Sequence, residues 1–271
     1  MEKHYDFSVS GLWLRVESER ELTVPDNFRP FALTDIPDTK PHIRLQVLFG
    51  PPPVGVAPSQ SFHWQGKEAI CRCDPAVQGE PIRLYIPHGF ADSFCAKGNW
   101  MLYLALERML LNYDRLLLHA SAVIYQGKAY LFSAPSGGGK STHAELWRAH
   151  YGAKLLNGDK VVLQIQKLGC TAWGSPVAGS SGIYENLGAP IGAIFILNKA
   201  PQDRVLPLSR RAALLALYSE TIKSGTDPAV NIRLLDLLEQ LQASVPVLSL
   251  ECLPEKSAVD CILSYLEGMT K

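Results

Sequence analysis

The chain has 271 residues, of which 47% are hydrophobic, so it can bury one large core or two smaller ones. Lys and Arg number 26, as do Asp and Glu, and this balance lacks the basic excess expected of a nucleic-acid-binding protein. Because residues 1–10 lack the apolar core of a secretory signal and the apolar runs are too short to span a bilayer, we expect a cytoplasmic protein without a membrane partner.

The first 97 residues are predicted to form a β-rich domain. Residues 10–17 carry alternating Leu12, Leu14 and Val16, and residues 42–49 also alternate, which is typical of half-buried strands. Shorter strands are predicted at residues 61–65, 69–73 and 82–86. Six cysteines are expected to be free thiols, and four ligands at zinc spacing are lacking: Cys71, Cys73, Cys95, Cys170, Cys252 and Cys261.

Residues 98–271 are predicted to form an α/β domain that begins with a helix at 100–113. Strands are predicted at 120–125, 128–133, 153–156, 161–166, 193–197 and 245–250, with a hairpin turn at Gln126 and Gly127. Helices are predicted at 140–150, 209–220 and 229–242, and from Pro254 to about residue 267.

A glycine-rich loop lies between the predicted strand 128–133 and the predicted helix 140–150. Its sequence, APSGGGKS, matches the phosphate-binding pattern GxxxxGK[ST] except that Ala134 replaces the first glycine. Glycines let backbone amides approach phosphate oxygens, and a helix N-terminus adds N–H groups and a positive dipole end. Lys140 is expected to contact the β- and γ-phosphates, and Ser141 to bind Mg²⁺. The predicted nucleotide-binding residues are Ser136, Gly137, Gly138, Gly139, Lys140, Ser141 and Thr142.

Asp159 is the candidate carboxylate that such a loop needs to bind metal or to accept a proton. It lies between two predicted strands, at a strand end where sites gather in α/β sheets. The alternative is that Asn157, Gly158 and Asp159 form a turn for conformational reasons alone.

Three further features have more than one interpretation. His119 lies beside an apolar run, where a histidine is more often a hydrogen-bonded core residue than a catalyst. His143 follows the loop and faces either the site or solvent. The small-residue stretch 174–182 either lines a substrate or nucleotide edge or is a plain mobile loop.

The order of these motifs resembles the catalytic domain of HPr kinase/phosphorylase and its relatives, including serine kinases that modify ribosomally made peptides. The likeness is carried by His119-Ala-Ser-Ala-Val, Gly127, the loop 134–142, Leu155-Leu-Asn-Gly-Asp159, the stretch 174–183 and Ala193-Ile-Phe-Ile-Leu. It implies a P-loop fold distantly similar to phosphoenolpyruvate carboxykinase, and transfer of the ATP γ-phosphate to a serine hydroxyl. By this resemblance His119 supports the catalytic Asp159, while Lys140 and Ser141 contact phosphate and Mg²⁺.

Four departures from that family stand in the sequence. The paired Asp-Asp is Gly158-Asp159, so Asp159 serves as both base and metal ligand, or Asn157 shares one duty. Thr142 replaces a frequent glutamate, Ala134 replaces a glycine, and a later acidic metal ligand has no counterpart in 174–182. These departures disfavour action on HPr itself.

The prediction is an ATP- and Mg²⁺-dependent kinase whose catalytic residues are Asp159, His119 and Lys140 and whose metal ligands are Ser141 and Asp159. Its expected partner is a hydroxyl-bearing substrate, a serine of a peptide or protein. A nucleotide hydrolase or phosphorolysing enzyme with the same loop is one alternative. A nucleotide sensor, with the β-rich region holding a peptide or protein partner, is another. An oligomer is neither required nor excluded.

Overall fold

The computed structural model describes residues 2–63, 69–75, 77, 79–97, 104–167, 169–177, 179–223 and 228–269. The chain divides into two compact units, residues 1–105 and 106–271. The sequence-based boundary between residues 97 and 98 stays a prediction.

The first unit is built on a six-stranded mixed sheet with the order β1-β2-β3-β6-β5-β4. Its strands are β1 (Lys3–Val9), β2 (Leu12–Ser18), β3 (Ile43–Phe49), β4 (Gln60–Phe62), β5 (Ile70–Cys73) and β6 (Ile82–Ile86), followed by helix α1 (Ala91–Lys97). The central strands β2, β3 and β6 run parallel, and the other pairs are antiparallel. Alternate apolar residues such as Leu14, Leu45 and Leu84 are fully buried and form the core face.

Two strand predictions in this unit needed correction. The strand predicted at 10–17 begins at Leu12, because Ser10 and Gly11 adopt φ values of 50° and 77° and form the turn that joins β1 to β2. β1 itself was not predicted. The strand predicted at 61–65 is β4, which ends at Phe62, and residues 64 and 65 lie outside the described residues.

The second unit contains an eight-stranded sheet with the order β11-β10-β7-β8-β12-β14-β13, in which β9 pairs with β7. The strands are β7 (Arg115–Tyr125), β8 (Lys128–Ser133), β9 (Lys154–Asn157), β10 (Lys160–Gln166), β11 (Gly169–Trp173), β12 (Gly188–Lys199), β13 (Arg204–Pro207) and β14 (Val247–Cys252). β8, β12 and β14 are parallel neighbours. The hairpin predicted at Gln126 and Gly127 is confirmed, with φ values of 48° and 75°.

Helices cover both faces of this second sheet. They are α2 (Leu106–Leu111), α3 (Lys140–Tyr151), α4 (Arg210–Glu220), α5 (Pro228–Ser244) and α6 (Lys256–Met269). Side chains of α4 and α5, such as Leu217 and Leu238, share a core with Leu131 of β8. Side chains of α3 and α6, such as Trp147 and Ile262, share the opposite core with Phe132, the next residue of β8. The mixed α/β class predicted from the sequence is therefore confirmed.

The helix predicted at residues 100–113 is shorter in the structure. Its described part is α2, from Leu106 to Leu111, and residues 100–103 lie outside the described residues. Among the described helices, none combines the length and the hydropathy that a membrane crossing requires.

Candidate functional site

The glycine-rich loop joins the end of β8 to the start of α3. Gly137 and Gly139 have φ values of 75° and 96°, a region that L residues with a side chain rarely adopt. Gly139 is the N-cap residue of α3, and no side chain caps that helix end. Ser136, Ser141 and Thr142 are exposed around it. The first amides of α3 are consequently available to an anion.

The side chain of Ala134 fits the loop because its neighbour Gly138 has no side chain. A Cβ added to Gly138 would lie 2.5 Å from the Cβ of Ala134 and 2.9 Å from the carbonyl oxygen of Pro135. The Gly138 amide donates to that same Pro135 oxygen at 3.0 Å. Ala134 is buried and is not among the described residues with a positive φ. The departure at position 134 is thus accommodated without backbone strain.

Lys140 is the first residue of α3, and its side chain turns back onto the loop. Its Nζ donates to the carbonyl oxygens of Ala134 at 2.7 Å and of Pro135 at 3.2 Å. Its own carbonyl accepts a hydrogen bond from the Ser121 hydroxyl at 2.6 Å, which ties α3 to β7. Burial lowers the pKa of the Lys140 ammonium, and the negative charges of Glu220 and Asp159 oppose that shift. The loop lysine therefore lies within the field of both carboxylates.

Asp159 belongs to a network of charged side chains. Its Oδ1 lies 3.2 Å from Nε2 of His119, and its Oδ2 accepts a hydrogen bond from Nζ of Lys160 at 2.7 Å. The other ring nitrogen of His119, Nδ1, lies 3.0 Å from Oε2 of Glu220. The side chains of His119, Asp159 and Glu220 are 24%, 20% and 14% exposed, so water screens these charges only partly.

Strand pairing brings this network to the glycine-rich loop. β7 and β10 are antiparallel with His119 opposite Lys160, and the Ala120 amide donates to the Asp159 carbonyl at 2.9 Å. Ser133, the residue just before the loop, donates from its hydroxyl to the His119 carbonyl at 2.9 Å. His119 is therefore held between the strand that enters the loop and the turn that carries Asp159.

Asn157 builds that turn. Its Oδ1 accepts hydrogen bonds from the amides of Asp159 and Lys160, both at 2.8 Å, and its Nδ2 donates to the Ser175 carbonyl at 3.0 Å. The residue is fully buried, and its amide group is occupied by these bonds. Both atoms of the Asn157 side-chain amide therefore hold the turn, and the suggestion that it shares the duties of Asp159 stays a prediction.

The small-residue stretch 174–182 lies against the same turn. A Cβ added to Gly158 would lie 2.0 Å from Oγ of Ser181, and a Cβ added to Gly179 would lie 2.8 Å from Cγ of Asp159. The contact of Gly179 with the Asp159 carboxylate favours the site-edge interpretation over the mobile loop. A second aspartate at position 158 does not fit beside Ser181.

His143 faces neither the site nor solvent. It is 2% exposed, its Nε2 lies 3.2 Å from Sγ of Cys252, and its ring packs on Phe132 with 5.2 Å between centroids. Burial lowers the pKa of His143 to about 4. It is a core residue of the α3 and α6 face.

Magnesium would find few protein ligands at this site. Within the described ranges, no group of three or more His, Cys, Asp or Glu side chains could hold a metal ion. Exposed Ser141 and the partly exposed Asp159 are the predicted ligands, and both Asp159 oxygens already have partners. Mg²⁺ that binds together with a nucleotide commonly takes one or two protein ligands and completes its shell with phosphate oxygens and water. Ser141 and Asp159 fit Mg²⁺ binding of this kind, but not a site built from protein ligands only.

Sequence reasoning missed two members of the network. Lys160 follows Asp159 directly in the sequence, but nothing in the sequence indicates that its ammonium group contacts the Asp159 carboxylate. Glu220 is separated from His119 by 101 residues, and no local motif marks it.

Comparison with known proteins leaves the family open. No family model matches the chain, and no curated protein matches it. Among solved structures, the chain is similar to the HPr(Ser) kinase/phosphatase from Coxiella burnetii, with 11% identity and a TM-score of 0.33 over 57% of this chain and 99% of that one. Likeness at this level is a distant structural relation, and it assigns no activity to this chain.

Proposed function

We propose that this chain is an ATP- and Mg²⁺-dependent kinase that transfers the γ-phosphate to a hydroxyl group, with a serine of a peptide or protein as the expected acceptor. The observation that carries the proposal is the juxtaposition of the uncapped start of α3 and Lys140 with the network of Asp159, His119 and Glu220.

The loop has the features that phosphate binding needs. Gly137 and Gly139 hold the backbone in left-handed conformations, and a Cβ added to either would have no atom within 4 Å, so the space above them is open. The α3 N-terminus supplies its first amides and the positive end of its dipole. Lys140 reaches phosphate by exchanging the Ala134 and Pro135 carbonyls for phosphate oxygens. These features support a triphosphate at this loop.

The charged network supplies the acceptor chemistry. Asp159 accepts the proton of the substrate hydroxyl while the hydroxyl oxygen forms a bond to the γ-phosphorus of ATP. The bond between that phosphorus and the β,γ-bridging oxygen breaks, and ADP is released. His119 and Lys160 each contact one Asp159 oxygen and so fix the plane of the carboxylate. When bound, Mg²⁺ would neutralise phosphate charge, with Ser141 and Asp159 as its protein ligands. Positioning and charge neutralisation supply most of the rate.

The first experiment mixes the protein with Mg²⁺ and γ-labelled ATP, with and without a set of serine peptides and small hydroxylated compounds. Label is expected on an acceptor and is expected to disappear in Lys140→Ala. Lys128→Ala is the matched control, because Lys128 is an exposed lysine at the opposite end of β8.

Two other results would each replace the proposal. Tight nucleotide binding without transfer to any acceptor would favour a nucleotide sensor. ATP consumption that no acceptor accelerates, and that is lost in Lys140→Ala, would favour a hydrolase.

A further inference from the structure

Glu220 is the least expected member of the charged network. It is the last residue of α4, its side chain is 14% exposed, and its Oε2 lies 3.0 Å from Nδ1 of His119. A carboxylate so withdrawn from water requires a partner that compensates its lost hydration. Its described hydrogen-bond partner is the His119 ring, which also contacts Asp159 on its other side, while the ammonium groups of Lys140 and Lys223 interact with it electrostatically.

The helix dipole makes this position unfavourable for an acidic residue. The C-terminal end of a helix carries partial negative charge and favours cations, and the last turn of α4 contains no basic residue. Lys223 caps this end by donating to the carbonyls of Tyr218 at 2.6 Å and Thr221 at 3.4 Å. Helix stability alone therefore gives no reason for a glutamate at position 220.

The backbone around Glu220 is anchored to the strand that carries His119. Thr221 forms an antiparallel bridge with Leu118, and the Ile222 amide donates to the Leu117 carbonyl at 2.7 Å. The Thr221 hydroxyl donates to the Leu217 carbonyl at 2.7 Å and secures the last turn of α4. Glu220 is thus held at a fixed height beside His119 and is not on a freely moving loop.

We propose that Glu220 is a positioning residue that acts on Asp159 through His119. This inference rests on the proposed kinase function. The contact of Nδ1 with Oε2 of Glu220 at 3.0 Å fixes the ring orientation that places Nε2 3.2 Å from Oδ1 of Asp159. Lys160 holds Oδ2, so the chain Glu220–His119–Asp159 determines where the base stands relative to the substrate hydroxyl.

The kinetic test compares Glu220→Ala and Glu220→Gln in the labelled-ATP assay. In Glu220→Ala we expect kcat to fall by about 10- to 100-fold, as with other residues that orient a catalytic group, while the KM for ATP changes by less than about threefold. Glu220→Gln keeps the shape and a side-chain amide that can hydrogen-bond Nδ1 of His119 in either tautomer, so it should recover much of the loss. Glu239→Ala, which removes an exposed helix carboxylate, is the control.

The coupling test repeats Glu220→Ala in a His119→Ala background. If Glu220 acts through His119, its removal should then change kcat by less than about twofold, because the residue it orients is already absent. An undiminished effect in that background would overturn the inference. So would ¹⁵N spectra in which the His119 ring nitrogens are identical in the unmodified protein and in Glu220→Ala.

The two levels of proposal fail in different ways. An active unmodified protein whose kcat is unchanged in Glu220→Ala overturns the role of Glu220 alone. An unmodified protein that transfers no phosphate to any acceptor overturns the proposed function and this inference with it. If Glu220→Ala does not fold, Glu220→Asp, whose side chain is one methylene shorter and withdraws the carboxylate from Nδ1 of His119, replaces it in the assay and in the ring spectra.

Discussion

His119 on β7 and His143 on α3 belong to the same unit, and their surroundings differ in charge and in access to water. His119 lies between two carboxylates and is 24% exposed. His143 is 2% exposed, lies beside Phe132 and Cys252, and has a ring nitrogen, Nδ1, without a hydrogen-bond partner in the described structure. The difference teaches that a histidine close to the loop in sequence does not have to belong to the site. Helix periodicity directs the side chain of His143 into the core instead.

Asp159→Asn tests the charged side of this comparison and has the largest expected effect. Turnover should fall by about 10²- to 10⁴-fold, because the amide cannot accept a proton, while nucleotide affinity stays nearly unchanged. Asp203→Asn is the matched control, since Asp203 lies on the His143 side and accepts a hydrogen bond from the Leu253 amide at 3.1 Å. Normal transfer by Asp159→Asn would remove Asp159 from the mechanism.

The dependence of stability on pH tests the buried side. Burial lowers the pKa of His143 from 6.5 to about 4, so the unfolded chain binds this proton more tightly than the folded chain. The free energy of unfolding therefore has its full value above pH 6.5, where His143 is neutral in both states, and it decreases as the pH falls towards 4. At about 1.4 kcal/mol for each pH unit in this window, the loss totals about 3 kcal/mol.

Urea unfolding of the unmodified protein and of His143→Met between pH 4 and 7.5 measures this loss. The two free energies of unfolding should diverge by up to about 3 kcal/mol across the window, with the flatter profile in the variant. Replacing the exposed His150 of the same helix should leave that divergence in place. Parallel profiles for the unmodified protein and His143→Met would show that His143 is not held neutral by burial.

Gly158→Asp tests whether the surroundings of His119 and Asp159 have room for a second aspartate, as in the Asp-Asp pair of the family that the sequence resembles. Its Cβ would lie 2.0 Å from Oγ and 2.6 Å from Cβ of Ser181, so we expect a loss of about 2 kcal/mol from overpacking. Adding Ser181→Gly should restore most of that stability, as measured by thermal unfolding. Equal stability of both variants would mean that the contact with Ser181 does not exclude the aspartate.

Glu145→Ala has the smallest expected effect and shows how little an ion pair contributes when both of its side chains are exposed to water. Glu145 forms an i,i+3 pair with Arg148 on α3, and the two side chains are 44% and 59% exposed. We expect a change of about 0.3 kcal/mol in the free energy of unfolding, measurable by the same urea titrations. A loss as large as that predicted for Gly158→Asp would indicate that exposure is a poor guide to the strength of these contacts.

The loop and its flanking elements could be predicted from the sequence because their signals are local. Predicted strand 128–133 is β8, and the helix predicted at 140–150 ends one residue later in the structure. The turn at Asn157 was visible for the same reason. The relevant physics, glycine conformation and helix periodicity, acts over a few residues.

Glu220 and the burial of His143 could not be predicted, because both depend on contacts between distant segments. His119 meets Glu220 only when α4 returns to β7, and His143 meets Cys252 only when α3 packs on β14. The strand predicted at residues 120–125 is also shorter than β7, which begins at Arg115 in the structure. The prediction therefore left His119 outside the strand that carries it.

The contacts around Gly138 constrain how this loop can change in descent. A Cβ at position 138 would lie 2.5 Å from the Cβ of Ala134 and 2.9 Å from the carbonyl oxygen of Pro135. Because the second contact is with backbone, a glycine at 134 would not free that space. Among relatives of this chain, glycine at 138 should therefore persist whether position 134 holds alanine or glycine.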